Sequence, residues 1–392
     1  MPSDALSAWN SALKKGLREL ENRSQKRSLQ QLSGVNLCSN DYLGLAEHPT
    51  LHEAAIAAVT QSARVGGTGS RLLSGQTEDW KTLEEEFAKF AGTEAALYFG
   101  SGYAANLGLL TALVGKDDVV FSDELNHASL IDGMRLSGAR KVIYPHLDLN
   151  ALESALRQDL GAPWRKVIVT ETVFSMNGDI APLPEMTELS EKYGAVLIVD
   201  EAHATAVHGP RGGGIAAASD LQSRLMAIVH TCGKALASTG AFVCGSAVLK
   251  DHLINHARTF IFTTAQPPYL VGQIRAAMNL AAGMDRERAE LQRRAEWLLR
   301  ELRFAGFDTA GSASQIVPAI LGKNDDTMDA AEFLQRESFA VRGIRPPTVP
   351  EGKARLRFSL TSRISATEIS RLKQTLVEWR ARQEVVAAVR NA

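Results

Sequence analysis

Short apolar segments alternate with amphipathic stretches from about residue 80 to residue 282. The amphipathic stretches, such as "DLNALESALRQ" at 148–158, repeat apolar residues at the spacing of an α-helix. Strands that are apolar at nearly every position are buried on both faces, so the pattern predicts an α/β fold with a mostly parallel sheet flanked by helices. The predicted strands are 95–100, 118–121, 140–145, 165–171, 194–201 and 226–231.

After about residue 282 the pattern changes to a mixture of helices and strands. A long charged helical stretch at 285–306 precedes a strand pattern, "KARLRFSL", at 353–360. A last amphipathic helix begins near Ser365, whose spacing from Glu368 matches a capping box. The sequence therefore predicts an N-terminal helical arm at 1–45, a large ligand-binding domain at 46–282 and a small C-terminal α+β domain at 283–392.

Composition narrows the functional classes. The 392 residues include 43 basic and 44 acidic ones and no long block of like charge, which argues against nucleic-acid binding and against a polybasic membrane patch. No apolar run is long enough to span a bilayer, and the first residues lack the apolar core of a signal peptide. Three cysteines without a close pair predict a cytoplasmic protein that has neither disulfides nor a cysteine-based zinc site.

Polar residues follow five of the predicted strands at the points where those strands end. In a doubly wound sheet such loops meet at the carboxyl edge, where ligands bind. One polar loop would mean little, but five that carry His, Ser, Asp, Thr and Lys side chains predict a ligand site. The loops are 99–103, 122–129, 170–179, 199–207 and 230–234.

Several common sites do not match this sequence. A P-loop would need glycine at Ile228 and serine or threonine at Ala235. The glycine-rich segment 65–75 has Leu72 where a dinucleotide fingerprint needs its last glycine. The zinc motif H-E-x-x-H and the serine-hydrolase motif G-x-S-x-G do not occur. We expect no metal site.

Lys234 indicates a different chemistry. It lies in a loop of small residues, "TCGKALASTG" at 231–240, where a lysine can condense with an aldehyde such as pyridoxal 5′-phosphate (PLP). PLP also needs a carboxylate at its ring nitrogen, N–H groups and hydroxyls at its phosphate and an aromatic neighbour on its ring. Each candidate has an ordinary structural explanation when taken alone, but their joint occurrence favours PLP. The candidates are Asp200 for the ring nitrogen, Gly102, Tyr103 and Thr231 for the phosphate, His127 for the ring face and His203 for the 3′ oxygen.

Over nearly its whole length the chain resembles the α-oxoamine synthases, PLP-dependent enzymes of fold type I, the aspartate-aminotransferase fold. The lysine loop and the D-x-A-H sequence at 200–203 are the most specific of the similar segments. The other similar segments are 39–45, 67–75, 127–133, 172–183, 262–268 and 344–361.

The resemblance implies a role for each matching residue. Lys234 would hold PLP covalently and act as the catalytic base. His203 and Ser175 would contact the phenolic oxygen. Thr263 and Thr264 would reach the phosphate of the neighbouring subunit, which implies a homodimer with shared active sites. The substrate-binding residues implied by the resemblance are Arg27, Arg345 and Thr348.

Within the family, "RPPTVP" at 345–350 is similar to the enzymes that join L-alanine to a pimeloyl thioester with loss of CO2. Coenzyme A (CoA) or an acyl carrier protein would deliver the acyl group. A relative that uses glycine or serine with another acyl-CoA remains the nearer alternative, and a catalytically silent fold relative the remote one. Acyl-chain preference is left open by departures from the family pattern at Trp80, Ala204, Ala206 and Ala237.

Overall fold

The computed structural model describes residues 4–161 and 163–390. The strands are β1 (Val35–Asn36), β2 (Ala95–Phe99), β3 (Asp118–Asp123), β4 (Arg140–Tyr144), β5 (Arg165–Glu171), β6 (Ala195–Asp200), β7 (Ala227–Thr231), β8 (Ala241–Gly245), β9 (Ile316–Gly322), β10 (Phe339–Ala340), β11 (Gly343–Ile344) and β12 (Ala354–Ser359). The α-helices are α1 (Asp4–Asn22), α2 (Pro49–Gln61), α3 (Glu78–Ala91), α4 (Gly102–Leu113), α5 (Ala128–Ser137), α6 (Leu149–Gln158), α7 (Leu183–Lys192), α8 (Ile215–Ala218), α9 (Ala247–His256), α10 (Arg258–Ile261), α11 (Leu270–Ala282), α12 (Asp285–Phe304), α13 (Asn324–Arg336) and α14 (Ala366–Arg390).

The chain forms two compact units. The larger unit contains residues 40–175 and 180–290, and the smaller unit contains the described residues before 40, residues 176–179 and those from 291 onward. By this division α1 belongs to the same unit as the C-terminal helices. The three-part division into 1–45, 46–282 and 283–392 stays a prediction. No helix in the described part of the chain is long and apolar enough to cross a membrane.

A seven-stranded sheet with the strand order β2-β8-β7-β6-β5-β3-β4 forms the centre of the larger unit. All neighbouring strands run parallel except β8, which is antiparallel to both β2 and β7. The predicted α/β class with a mostly parallel sheet is confirmed. Strand β8 is a finding that the alternation of strands and helices did not predict, because it follows the lysine loop with no helix before it.

Buried apolar side chains join the sheet to its helices. Val169, Ile198 and Val229 of the strands belong to one cluster with Leu109 of α4 and Leu130 of α5. Each such side chain contributes about 1.5–3 kcal/mol when it leaves water. This core fixes the positions at which α4 and α5 begin, next to the carboxyl ends of the strands.

The smaller unit contains two short sheets. Strands β11, β12 and β9 form an antiparallel sheet, and β1 pairs with β10 in parallel. At the start of α14 the Ser365 hydroxyl accepts the Glu368 N–H at 3.2 Å, and the Glu368 carboxylate accepts the Ser365 N–H at 2.7 Å. The predicted capping box is therefore present, and it fixes the first turn of this helix.

Two buried titratable groups, Glu201 and His230, lie side by side in the larger unit. Neither side chain is exposed, and Glu201 Oε2 is 3.8 Å from His230 Nδ1. Burial raises the pKa of Glu201 to about 8 and lowers the pKa of His230 to about 3. Loss of water penalises the charged form of either group, so both are neutral near pH 7.

A glutamine at position 201 should change how stability depends on pH. A carboxyl whose pKa rises from 4.5 to about 8 on folding contributes stability that is complete below pH 4.5 and is lost as the pH rises through 8. Above pH 6.5 a histidine in the unfolded chain is mostly neutral as well, so His230 adds little to this trend. We expect Glu201→Gln to become progressively more stable relative to wild type between pH 6.5 and 8. Urea unfolding of both proteins across this range is the measurement, and a constant difference would contradict a neutral Glu201.

Candidate active site

A cavity of about 280 Å³ lies in the larger unit at the carboxyl ends of β2, β3, β5, β6 and β7. All five loops predicted to form a ligand site contribute to it. Its lining residues are Ser101, Gly102, Tyr103, Asn106, His127, Ser129, Glu171, Asp200, Ala202, His203, Thr231, Gly233, Lys234, Ser238, Thr239 and Gly240. Seven of the predicted site residues are therefore brought together: Gly102, Tyr103, His127, Asp200, His203, Thr231 and Lys234.

One end of the cavity is built for an anion. Ser101 caps α4 by accepting the Ala104 N–H at 3.1 Å, whereas the N–H groups of Gly102 and Tyr103 belong to the first turn and have no acceptor within the helix. A Cβ on Gly102 would stand 2.7 Å from Cγ2 of Thr231, so only glycine fits there. These amides and the positive end of the helix dipole favour a phosphate.

Asp200 supplies the carboxylate. It is 5% exposed and ends β6. Its Oδ1 accepts the Ala202 N–H at 2.8 Å, and its Oδ2 accepts the amide Nδ2 of Asn106 at 2.6 Å. These two hydrogen bonds fix the orientation of the carboxyl group within the cavity.

Glu171 is a second carboxyl in the cavity, and it was not predicted from the sequence. It ends β5 directly opposite Asp200 in the strand register. Burial and then the negative charge of Asp200 raise the pKa of Glu171 to about 8. Glu171 therefore keeps its proton at neutral pH. Its place as a polar residue ending an apolar strand was the signal that could have found it.

Two histidines line the cavity with different partners. His127 caps α5, and its Nδ1 lies 2.7 Å from the Ser129 hydroxyl. Loss of water lowers the pKa of His127, while the charge of Asp200 partly opposes this shift. His203 Nδ1 lies 2.6 Å from the hydroxyl of Tyr42, a buried residue whose role was not predicted from the sequence. Both rings are therefore held by hydroxyl groups.

The loop that carries Lys234 is fixed by its own backbone. The Ala237 N–H donates to the Lys234 carbonyl at 2.9 Å, and the Cys232 N–H donates to the Gly240 carbonyl at 2.9 Å. Ala237 has φ 43°, a left-handed conformation that costs alanine more than glycine. Ala206, with φ 66°, is in the same region of backbone space. Both are positions where the family pattern led us to expect glycine.

Other predicted residues lie outside this cavity. Ser175 does not line it, and Thr263 and Thr264 line a separate small cavity with Arg71 and Trp80. Trp80 is 1% exposed and is therefore a core residue. The Arg71 guanidinium carbon lies over the Trp80 ring, 5.4 Å from the centre of that ring.

The predicted substrate residues lie together in the smaller unit. Arg27 donates to the Thr348 hydroxyl at 3.1 Å, and the Arg345 guanidinium donates to the Ser24 carbonyl. Arg27 and Arg345 line the same cavity of the smaller unit. Burial and then the positive charge of Arg27 lower the pKa of Arg345. Two cations held this close favour an anionic ligand. Among the described residues, no cluster of histidine, cysteine and carboxylate side chains could hold a metal ion.

Comparison with known proteins identifies the family. Residues 33–376 match the family model of class I and II aminotransferases. An 8-amino-7-oxononanoate synthase from Geobacter sulfurreducens is 47% identical over 370 residues, which cover 91% of this chain and 94% of that protein. The chain belongs to the α-oxoamine synthases within the class I and II aminotransferases. The resemblance described from the sequence is confirmed.

Solved structures agree with this assignment. Serine palmitoyltransferase from S. paucimobilis, with a bound PLP–myriocin adduct, superposes with a TM-score of 0.88 and 27% identity, covering 97% of this chain and all of that one. The 8-amino-7-oxononanoate synthase of Francisella tularensis superposes with a TM-score of 0.78 and 28% identity, covering 90% and 99%. The predicted fold type I is thereby confirmed for this family member.

Proposed function

We propose that this enzyme condenses L-alanine with a pimeloyl thioester and releases CO2 and the free thiol carrier. The product would be 8-amino-7-oxononanoate, a precursor in biotin biosynthesis. The observation that carries the proposal is the single cavity that joins Lys234 to Asp200, in a chain 47% identical to a protein of that activity. The predicted cofactor, PLP, and the predicted class, a PLP-dependent acyltransferase, are confirmed by the family match and by the PLP-bound relative.

The residues present fit PLP. The donor set contains a lysine amine, a carboxylate and a helix N-terminus in one cavity. Asn106 Oδ1 and Ser238 Oγ, on residues that line this cavity, are buried without a hydrogen-bond partner, and such atoms are usually satisfied by a ligand or water. Gly240 also lines the cavity, and a Cβ there would collide with the ring of Tyr98, so this part of the cavity wall needs glycine. Lys234 would hold the aldehyde carbon, and the first turn of α4 with Thr231 would hold the phosphate.

Bound PLP supplies an electron-accepting ring that stabilises negative charge at the α-carbon of the amino acid. Asp200 would hold a proton at the ring nitrogen, and His127 would lie against the ring. Lys234, whose amine is free once the amino group of alanine has replaced it at the aldehyde carbon, would remove the Cα proton of alanine as general base. The Cα then bonds to the thioester carbonyl carbon, the thiolate leaves, the alanine carboxylate departs as CO2 and a proton returns to Cα. His203, oriented by Tyr42, would contact the phenolic oxygen. The contact implied for Ser175 stays a prediction, because Ser175 does not line the cavity.

The substrate anions would bind in the smaller unit. Arg27 and Arg345 present two cations, and Thr348 presents a hydroxyl bonded to Arg27. This arrangement supports binding of the alanine carboxylate and of the acidic acyl chain. The acyl group would arrive on CoA or on an acyl carrier protein. We further propose a homodimer, in which Thr263 and Thr264 of each subunit reach the neighbour's phosphate, and a cytoplasmic location.

Serine palmitoyltransferase chemistry is the second candidate because that structure superposes with the higher TM-score. Purified holoenzyme should be assayed with L-alanine, glycine and L-serine, each against pimeloyl-CoA, acetyl-CoA and palmitoyl-CoA. We expect kcat/KM to be highest for L-alanine with pimeloyl-CoA, and mass spectrometry should identify the keto product. Preference for L-serine with palmitoyl-CoA would overturn the proposal and establish the second candidate.

A further inference from the structure

A continuous series of hydrogen bonds joins the cavity carboxylate to the cavity histidine. Asn106 Nδ2 donates to Asp200 Oδ2 at 2.6 Å and to the Ser129 hydroxyl at 2.9 Å. The Ser129 hydroxyl in turn lies 2.7 Å from His127 Nδ1. Three elements, β6, α4 and α5, are linked in this way through two side chains that were not predicted from the sequence.

The donors and acceptors in this series have one consistent assignment. An amide nitrogen carries two hydrogens, and Asn106 uses one toward Asp200 and one toward Ser129. The Ser129 N–H also points at His127 Nδ1, at 3.2 Å, so that nitrogen is an acceptor. The Ser129 hydroxyl therefore accepts from Asn106 and donates to Nδ1, which leaves the proton of His127 on Nε2.

Burial makes this assignment costly to break. Asn106 and Ser129 are each 1% exposed, and Asn106 Oδ1 is buried without a hydrogen-bond partner. A flipped amide would place its oxygen against the oxygens of Asp200 and Ser129. Withdrawal from water also lowers the pKa of His127, which agrees with a neutral ring. Asn106 and Ser129 both line the cavity, so the orientation of their side chains affects the groups that a ligand would meet there.

We propose that Asn106 and Ser129 are positioning residues. Asn106 holds the carboxylate of Asp200 in place for the ring nitrogen of PLP, and Ser129 holds His127 as its Nε2–H tautomer against the ring. The shared amide nitrogen couples the two. This inference rests on the proposed PLP function.

Three variants separate these roles from general stability. Asn106→Ala removes a hydrogen bond to a charged group, so we expect the Kd for PLP to rise about tenfold. Ser129→Ala leaves the Asn106–Asp200 bond in place but removes the hydroxyl that donates to Nδ1, so that only the backbone N–H of residue 129 still points at this nitrogen. We therefore expect the share of the Nδ1–H tautomer of His127 to increase. Asn126→Ala is the matched control. Asn126 is 4% exposed, donates two hydrogen bonds, has an orphan Oδ1 and adjoins His127.

The readouts are the Kd for PLP and the imidazole nitrogen shifts of ¹⁵N-histidine-labelled holoenzyme, with His127→Asn used to assign the signal. Wild-type holoenzyme must first show the visible absorbance of PLP bound to Lys234, and its absence would refute the proposed function instead. We expect Asn126→Ala to change neither readout. We expect a variant that combines Asn106→Ala with Ser129→Ala to bind PLP more tightly than the sum of the two single effects predicts. Unchanged readouts in Ser129→Ala and Asn106→Ala, or equal changes in Asn126→Ala, would overturn the positioning roles. Should Asn106→Ala fail to fold, the tautomer in Ser129→Ala decides.

Discussion

Replacement of Lys234 by alanine is expected to abolish turnover and the visible absorbance that wild type gains with PLP. The physical reason is that Lys234 lines the same cavity as Asp200 and His127 and carries the amine that would bind the cofactor there. The same amine holds the cofactor and removes the Cα proton, so its loss removes two functions at once. Absorbance spectroscopy and a coupled assay of thiol release measure the two effects.

Lys192→Ala is the matched control for this experiment. Lys192 lies in the same unit, on α7, and pairs with Glu153 at the surface. The variant loses only a surface salt bridge, which contributes little to stability, and it should retain wild-type turnover. Turnover in Lys234→Ala above a few per cent of wild type, with the product confirmed, would remove Lys234 from the catalytic role.

Asp200→Asn is expected to lower kcat on the order of 10²- to 10³-fold, because the charge that stabilises a protonated ring nitrogen is lost while the shape is kept. Loss of water is the largest cause of the raised pKa of Glu171 and is unchanged in this variant, so we do not expect Glu171 to replace that charge at neutral pH. The variant should fold, since Asn can still accept from the Ala202 N–H, but it loses the hydrogen bond from Asn106, because its own NH2 group then faces that donor. Steady-state kinetics and the Kd for PLP are the measurements.

Asp118→Asn is a suitable comparison for the loss of charge. Asp118 begins β3, and its Oδ2 pairs with Arg165 at 2.7 Å, outside the cavity lining. We expect this substitution to lower stability without a change in kcat. Equal losses of kcat in both variants would mean that Asp200 acts through stability and not through the cofactor.

The site residues that could be predicted from the sequence are those that directly follow an apolar strand, because that pattern is local. Asp200 and Lys234 stand out because a charged residue follows an apolar strand. Glu171 has the same signal, but the sequence does not show that it lies opposite Asp200, because that pairing depends on the strand register. Asn106 carries no such signal, since it is an interior helix residue whose partners, Ser129 and Asp200, come from distant segments.

The fold was predictable to the same extent. Strands that alternate with helices predicted the parallel part of the sheet, because the apolar pattern is local. The antiparallel β8 depends on pairing with β2 and β7, which no local pattern contains. The contact between Arg27 and Thr348 is likewise a tertiary one, and the chain between these residues had to fold before they could meet.

The insertion of β8 between β2 and β7 has a consequence for how the enzyme is made. Ala95 lies opposite Gly245, so β2 stays an unpaired edge until the ribosome has released the residues beyond the lysine loop. Pairing between such distant segments is slow, because the entropy of closing a long loop is lost before the contacts form. Ser238, Thr239 and Gly240, which precede β8, line the cavity, so we expect PLP to bind after that closure and to withdraw folded chains from the equilibrium with unfolded ones. Cellular PLP supply should therefore affect the yield of the enzyme as well as its activity. Expression with and without vitamin B6, followed by measurement of the soluble protein, tests this expectation.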